Sequence, residues 1–244
     1  LPLPASTATP STRTLPNMLF KRSFTSLVLC LISLATIATV SQAHVGLMRP
    51  CARGSSLSGC PAPSKGQYID YDLNAPIGTH SSKNSPICKQ TVASGQRTTV
   101  TAGQSIKTTY SIGASHGGGH CQWALSYDNK NWVVLKTLIR DCLKNVNGGS
   151  YSVSVPIPKN APAGKATFMW LWNNAIGNRE LYSNCADIVI KGGPNGGTLK
   201  GVAPLIANYG PSSLAIGEFG GSGPDGSEAF AKRKAITIKV SAGN

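Results

Sequence analysis

The chain has 244 residues, and its 23 Lys and Arg residues outweigh 9 Asp and Glu residues to give a formal net charge of +14. The basic residues are scattered and no RNA- or DNA-binding signature is present, so nucleic acid is excluded as an expected partner. A basic surface can instead attract an anionic partner, such as an acidic polymer of a cell wall.

The first 43 residues are expected to be absent from the mature protein. Residues 1–17 lack a starting Met and are rich in Pro, Ser and Thr, so we interpret them as a non-native segment upstream of the natural start. Residues 18–43 begin with Met, continue through two basic residues and an apolar run, and end in Ser-Gln-Ala, which is typical of a secretory signal peptide. The run is too short for a membrane-spanning helix. We therefore expect a secreted, extracellular protein that begins at His44 and does not bind membranes.

The cysteine count favours disulfide bonds. After Cys30 leaves with the signal peptide, six cysteines remain, an even number that predicts three disulfides in a secreted chain. No pair has the CxxC spacing of a zinc site. Six cysteines allow fifteen pairings, and their positions alone do not choose among them. They are Cys51, Cys60, Cys88, Cys121, Cys142 and Cys185.

Short alternating runs separated by turn residues predict an antiparallel β-sandwich, and no stretch keeps a helical period. We treat 44–244 as one domain, with long irregular segments at 51–90 and 193–231. Trp170 and Trp172 share a strand face and are expected in the core. The predicted strands are 98–101, 106–112, 121–127, 132–139, 151–157, 166–172, 187–190 and 235–240.

Two histidines point to a metal. A terminal His44 would offer its α-amino nitrogen and a ring nitrogen to one ion, and a second histidine would add a third nitrogen, a donor set that suits Cu(II). His116 is followed by three glycines, which remove side-chain bulk so that a large partner can approach its ring. The alternative for residues 114–122 is a flexible turn with two polar histidines, His116 and His120.

A third segment adds a carboxylate and a phenol. In Gly-Asn-Arg-Glu-Leu-Tyr-Ser-Asn-Cys, which ends at Cys185, strand alternation places Glu180 and Tyr182 on one face. These groups could occupy the axial position of a metal and the shell behind its ligands. The alternative is an exposed polar strand end.

Together these three features resemble the copper-dependent lytic polysaccharide monooxygenases of fungi, most closely the chitin-active auxiliary activity family eleven. The resemblance extends over most of 86–193 and fits 51–80 and 194–244 poorly. It implies an immunoglobulin- or fibronectin-like β-sandwich that binds one copper ion through His44 and His116, with Tyr182 as the axial ligand. It also implies Glu180 behind the ligands, with Arg179 beside it, so that Arg179, Glu180 and Tyr182 form the expected catalytic set.

The resemblance further implies an oxidoreductase that cleaves glycosidic bonds of a polysaccharide with an external electron donor and dioxygen or hydrogen peroxide. Chitin is favoured, while cellulose or another wall glycan stays open, and we expect a monomer. By resemblance, Cys88 pairs with Cys185 and Cys121 with Cys142, leaving Cys51 with Cys60. His120 is not required by the family pattern, and we interpret it as a surface residue or one behind the ligands.

Two other classes of function stay open. A non-enzymatic copper-binding protein would keep the same ligands without attacking polysaccharide. A carbohydrate-binding module would bind glycan without needing His44.

Overall fold

The computed structural model describes residues 45–146 and 148–243, so residues 1–17, the predicted signal peptide 18–43 and His44 lie outside it. No helix formed by the described residues is long and apolar enough to cross a membrane. Strands dominate this part of the chain. They are β1 (Val45–Arg49), β2 (Gly78–Thr79), β3 (Thr98–Thr101), β4 (Ser105–Ile112), β5 (Gly119–Ser126), β6 (Val133–Cys142), β7 (Ser150–Pro156), β8 (Gly164–Asn174), β9 (Glu180–Lys191), β10 (Gly197–Val202) and β11 (Ala235–Val240), with the short helix α1 (Ser227–Ala231).

All eight predicted strands are present, and the predicted strand 235–240 has the bounds of β11. The predictions missed β1, β2, β10 and α1. In β1, three successive residues are buried, so no alternation marks it as a strand. Strand β10 contains two glycines, which weaken a strand pattern. The expectation that 193–231 is entirely irregular is therefore wrong.

The strands form two main sheets. One sheet has the order β1-β4-β7, and the larger has the order β2-β9-β8-β5-β6 with β3 added alongside β9. The principal pairs are antiparallel, whereas β3 runs parallel to β9. Strands β10 and β11 form a separate antiparallel pair.

The two main sheets pack face to face through aromatic side chains. Tyr110 of the smaller sheet lies 4.8 Å from Trp170 of the larger one, measured between ring centroids. The Trp123 indole donates a 2.6 Å hydrogen bond to the Tyr110 hydroxyl, so the polar ends of both rings are satisfied inside the core. Trp170 and Trp172 are fully buried, as predicted. The prediction of an all-β sandwich is confirmed.

Loops cover the outer face of the larger sheet, and for this reason every residue of β5 is buried. Gln122, which points to that face, exchanges two hydrogen bonds with the backbone of Leu205 at 2.8 and 2.9 Å. The three disulfides predicted by resemblance are present, namely Cys51–Cys60, Cys88–Cys185 and Cys121–Cys142. The segment 51–90 is thus pinned to the sheet as expected.

A buried ion pair also fastens this segment. The Arg53 guanidinium donates to both carboxylate oxygens of Asp187 on β9, at 2.7 and 2.8 Å, and both side chains are almost fully buried. Burial would raise the pKa of Asp187, but hydrogen bonds from Arg53 and from the Ser94 amide outweigh it and hold this pKa below its ordinary value. The charge is therefore compensated within the fold.

The strand registers bring the candidate residues to one end of the sandwich. Val45 at the start of β1 pairs with Ile112 at the end of β4. Gly119 at the start of β5 pairs with Asn174 at the end of β8, and β9 begins at the same end with Glu180. The loop after β4, which carries His116, and the loop between β8 and β9 are therefore neighbours.

Candidate metal centre

The His116 loop depends on its three glycines for internal packing. His116 has a positive φ of 49°, and Gly117, Gly118 and Gly119 also have positive φ. A Cβ on Gly119 would lie 2.0 Å from the carbonyl oxygen of Asn173, and one on Gly118 would lie 2.9 Å from that of Cys142. Side chains at these two positions would collide with backbone that cannot move aside. The glycines therefore allow close approach by this chain's own residues, and the expectation that they make room for a large partner stays a prediction.

The loop is joined to the loop between β8 and β9. The amide of Ile176 donates to the His116 carbonyl at 3.0 Å, and the amide of Ala175 donates to the Gly118 carbonyl at 2.8 Å. The Nδ1 edge of the His116 ring faces Gly177, since a Cβ on this glycine would lie 3.2 Å from Nδ1. The same ring lies 6.1 Å from the Trp172 ring. These contacts fix both the loop and the direction of the imidazole.

Tyr182 lies beneath the surface next to the same tryptophan. It is 1% exposed, its ring centroid is 4.6 Å from that of Trp172, and its hydroxyl donates a 2.6 Å hydrogen bond to Glu180 Oε2. Burial, and then the hydrogen bond and negative charge of Glu180, raise the pKa of the phenol well above its ordinary value. The prediction that the two residues share a face is confirmed.

The backbone ahead of Tyr182 is held by Asn174. Its side-chain oxygen accepts the Glu180 amide at 3.0 Å, and its side-chain nitrogen donates to the carbonyls of Ile176 and Asn178. The sequence analysis did not single out Asn174. Its position at the end of a strand, before a Gly-containing loop, is the one signal that could have identified it.

Arg179 is half-buried and acts on backbone oxygens. Its guanidinium donates to the carbonyls of Ile216 and Asn174. Burial lowers the pKa of Arg179, while the charges of Glu218 and Glu180 oppose that change. The side chain thus joins the loop before β9 to the backbone of Ile216. A catalytic role for Arg179 stays a prediction.

Four of the candidate and core residues form a contiguous cluster, in the order His116, Trp172, Tyr182 and Glu180. His44 lies outside the described residues, although Val45, which follows it in sequence, pairs with Ile112 at this end of the sandwich. Within 45–146 and 148–243, no group of three or more His, Cys, Asp or Glu side chains is arranged to hold a metal.

The donor chemistry of this cluster fits copper. An imidazole suits Cu(II), and a neutral phenol is a weak, distant type of ligand rather than a strong charged one. The carboxylate of Glu180 accepts a hydrogen bond from that phenol, so it would lie behind the ligands if Tyr182 faced a metal. Addition of the amine and imidazole of a terminal His44 would complete three nitrogen donors.

His120 was expected either at the surface or behind the ligands, and its burial shows that the surface position is wrong. Its ring is 1% exposed and packs against Phe219 and Phe230 at 4.7 and 4.9 Å. Nδ1 accepts the Arg140 amide at 3.1 Å, which leaves Nε2 to donate to the Asp225 carbonyl at 2.8 Å. Burial lowers its pKa, against the opposing effect of the Asp225 contacts. Both ring nitrogens of the neutral imidazole are thus occupied within the fold.

Comparison with known proteins supports the resemblance seen in the sequence. The chain is 44% identical over 132 residues to an AA11 family lytic polysaccharide monooxygenase A from Aspergillus fumigatus, a match that covers 51% of this chain and 56% of the relative. It is 33% identical over 142 residues to an AA11 family lytic polysaccharide monooxygenase from Aspergillus oryzae, which covers 48% of this chain and 34% of that protein. The chain thus spans about half or less of the length of these curated relatives.

No protein-family model matches the chain. Among solved structures, a polysaccharide monooxygenase described as CBM33 aligns with 16% identity and a TM-score of 0.47, over 61% of this chain and 100% of that one. Because this TM-score is below 0.5, the structural alignment does not support the similarity. The similarity to AA11 family lytic polysaccharide monooxygenases therefore stands on the sequence matches.

Proposed function

We propose that residues 44–244 form a secreted lytic polysaccharide monooxygenase domain that uses one copper ion to cleave glycosidic bonds oxidatively. Chitin is the favoured substrate, with cellulose or another wall glycan as alternatives. The similarity to AA11 family lytic polysaccharide monooxygenases supports the reaction class. The single observation that carries the proposal is the buried Tyr182 phenol bonded to Glu180, beside the tryptophan that also contacts His116.

His44, His116 and Tyr182 would hold the copper. When bound, copper supplies one-electron chemistry toward dioxygen or hydrogen peroxide after reduction by an external donor. The side chain of His116 is directed by the loop contacts of Gly177, Ile176 and Trp172. These contacts come from the chain's own residues, and they would hold the imidazole in one orientation for a metal.

Tyr182 and Glu180 divide the remaining tasks. The phenol would face the copper, and burial together with the hydrogen bond and charge of Glu180 raises its pKa above the ordinary value. Glu180 is fixed through Oε2 by the phenol and through its amide by Asn174. Its half-buried carboxylate would there hold or pass a proton.

Substrate analysis tests the proposal against its rivals. Copper-loaded protein beginning at His44, given a reductant, should release oxidised oligosaccharides from chitin, cellulose or an acidic wall glycan, as detected by mass spectrometry. Copper binding with no oxidised product from any of them would favour a non-enzymatic copper-binding protein. Glycan binding that survives loss of His44, again without product, would favour a carbohydrate-binding module.

A further inference from the structure

A segment far along the chain forms hydrogen bonds with the loop that carries the candidate catalytic residues. Residues 216–219, called the strap here, lie in a glycine-rich part of the sequence that fits the family resemblance poorly. Phe219 donates its amide to the Ala175 carbonyl at 2.9 Å, and the Ile216 carbonyl accepts the Arg179 guanidinium at 3.3 Å. Glu218 Oε1 accepts the Gly177 amide at 2.7 Å. The strap thus contacts residues 175, 177 and 179 in turn.

The opposite side of that loop lies against His116. Backbone hydrogen bonds join Ala175 and Ile176 to the Gly118 and His116 carbonyls, and Gly177 abuts the Nδ1 edge of the His116 ring. A shift of the Gly177 backbone would therefore reach the imidazole directly. At Gly177, the bond to the strap comes from an exposed side chain instead of from the backbone.

We infer that Glu218 is a positioning residue for His116, acting through the Gly177 amide. Its carboxylate oxygen accepts the Gly177 amide and so fixes the backbone against which the ring lies. The strap is itself anchored, because Ile216 is buried and its amide donates to the Asn208 side chain at 2.9 Å. The position of Glu218 relative to His116 does not depend on the proposed function. The identity of the metal that His116 would bind does.

The chain offers matched variants for the test. Glu218→Ala removes the acceptor, whereas Glu218→Gln keeps an oxygen that can accept the Gly177 amide. Glu228→Ala removes the same charge from another exposed glutamate in the neighbouring helix α1, ten residues along the chain. Because Glu218 is exposed, its replacement should leave the core intact.

The first readout is NMR of the metal-free protein. In Glu218→Ala, we expect the Gly177 amide to exchange with solvent about tenfold faster, as loss of one hydrogen bond implies, and the His116 ring Cε1–H resonance to move. Glu218→Gln and Glu228→Ala should resemble wild type in both signals. An unchanged Gly177 exchange rate in Glu218→Ala, or equal changes in Glu228→Ala, would overturn the inference.

The second readout is Cu(II) affinity measured by titration. Glu218→Ala should weaken it by about tenfold, the lower end of the range for residues behind metal ligands, and Glu218→Gln should restore most of the loss. If the Gln variant loses as much as the Ala variant, charge and not the hydrogen bond is responsible, and the inference is wrong. If wild type itself binds no copper, the proposed function fails, while the metal-free NMR comparison still decides the role of Glu218.

Discussion

The Tyr182 hydroxyl donates a 2.6 Å hydrogen bond to Glu180 Oε2, and this bond joins the two side chains expected beside the copper. The pair lies at the start of β9, where one residue is half-buried and the other fully buried. Each side chain therefore constrains the other. Replacing either one should alter the chemistry of the site without removing a nitrogen ligand.

Glu180→Gln should keep Cu(II) binding and lower turnover on polysaccharide by about 10–100-fold, the range typical of residues that act behind the ligands. The amide can still accept the Tyr182 hydroxyl, so the fold should be unchanged. The measurement is a turnover rate with copper loading verified for each protein. Turnover equal to that of wild type would remove Glu180 from the proposed catalytic set.

Tyr182→Phe should also keep Cu(II), because a protonated phenol contributes little to the affinity of the site. Its EPR spectrum and its reactivity should nevertheless change, since the hydroxyl proposed to face the copper and its hydrogen bond to Glu180 are both lost. The matched control is Tyr127→Phe, at a site away from the candidate cluster. The hydroxyl of Tyr127 donates a 2.7 Å hydrogen bond to a backbone carbonyl. An EPR spectrum identical to that of wild type would argue against an axial Tyr182.

His116 and His120 should respond oppositely to replacement. Residues behind metal ligands typically change affinity by about 10–100-fold. His116→Ala should weaken Cu(II) binding by more than this, because it removes a proposed ligand. His120→Ala should retain the copper spectrum but lower thermal stability, because it empties the space between Phe219 and Phe230. Loss of copper on replacing His120 and not His116 would reverse the ligand assignment.

The sequence predicted this contrast only in part. The two histidines stand four residues apart in one glycine-rich segment, and the family pattern favoured His116 as the ligand. The burial of His120 depends on Phe219 and Phe230, about one hundred residues later, and no local period reports such a contact. Pairing of Glu180 with Tyr182 was predictable because strand alternation is local. The hold of Glu218 on Gly177 was not, since it joins two loops.

Asp187 should make stability depend on pH. Its pKa is lowered in the folded protein, so its contribution is complete above the unfolded value of about 3.9 and is lost as pH falls through the folded value. Asp187→Asn leaves the buried Arg53 charge uncompensated and should cost about 3–5 kcal/mol at pH 7. Thermal unfolding between pH 2 and pH 7 checks this. The difference from wild type should shrink at the acid end, and a constant difference would contradict the role of the ion pair.

The disulfides should differ in their contribution to stability. Cys88–Cys185 links residues 97 apart, whereas Cys51–Cys60 links residues 9 apart. Because a longer closed loop restricts the unfolded chain more, removing the first bond by paired Ala substitutions should cost about 4–5 kcal/mol and removing the second about 3 kcal/mol or less. Denaturant unfolding of the two double variants measures both values. A larger loss on removing Cys51–Cys60 would reverse the expected order.

We propose that a terminal His44 and His116 together hold the copper that attacks polysaccharide. The most direct test compares protein that begins at His44 with protein carrying one extra Gly before it, since the extension blocks the terminal amine and changes no side chain. Each protein is given copper, a reductant and chitin, and then a panel of other glycans. We expect oxidised oligosaccharides from the first protein and none from the second. Equal release of oxidised products from both proteins would contradict it.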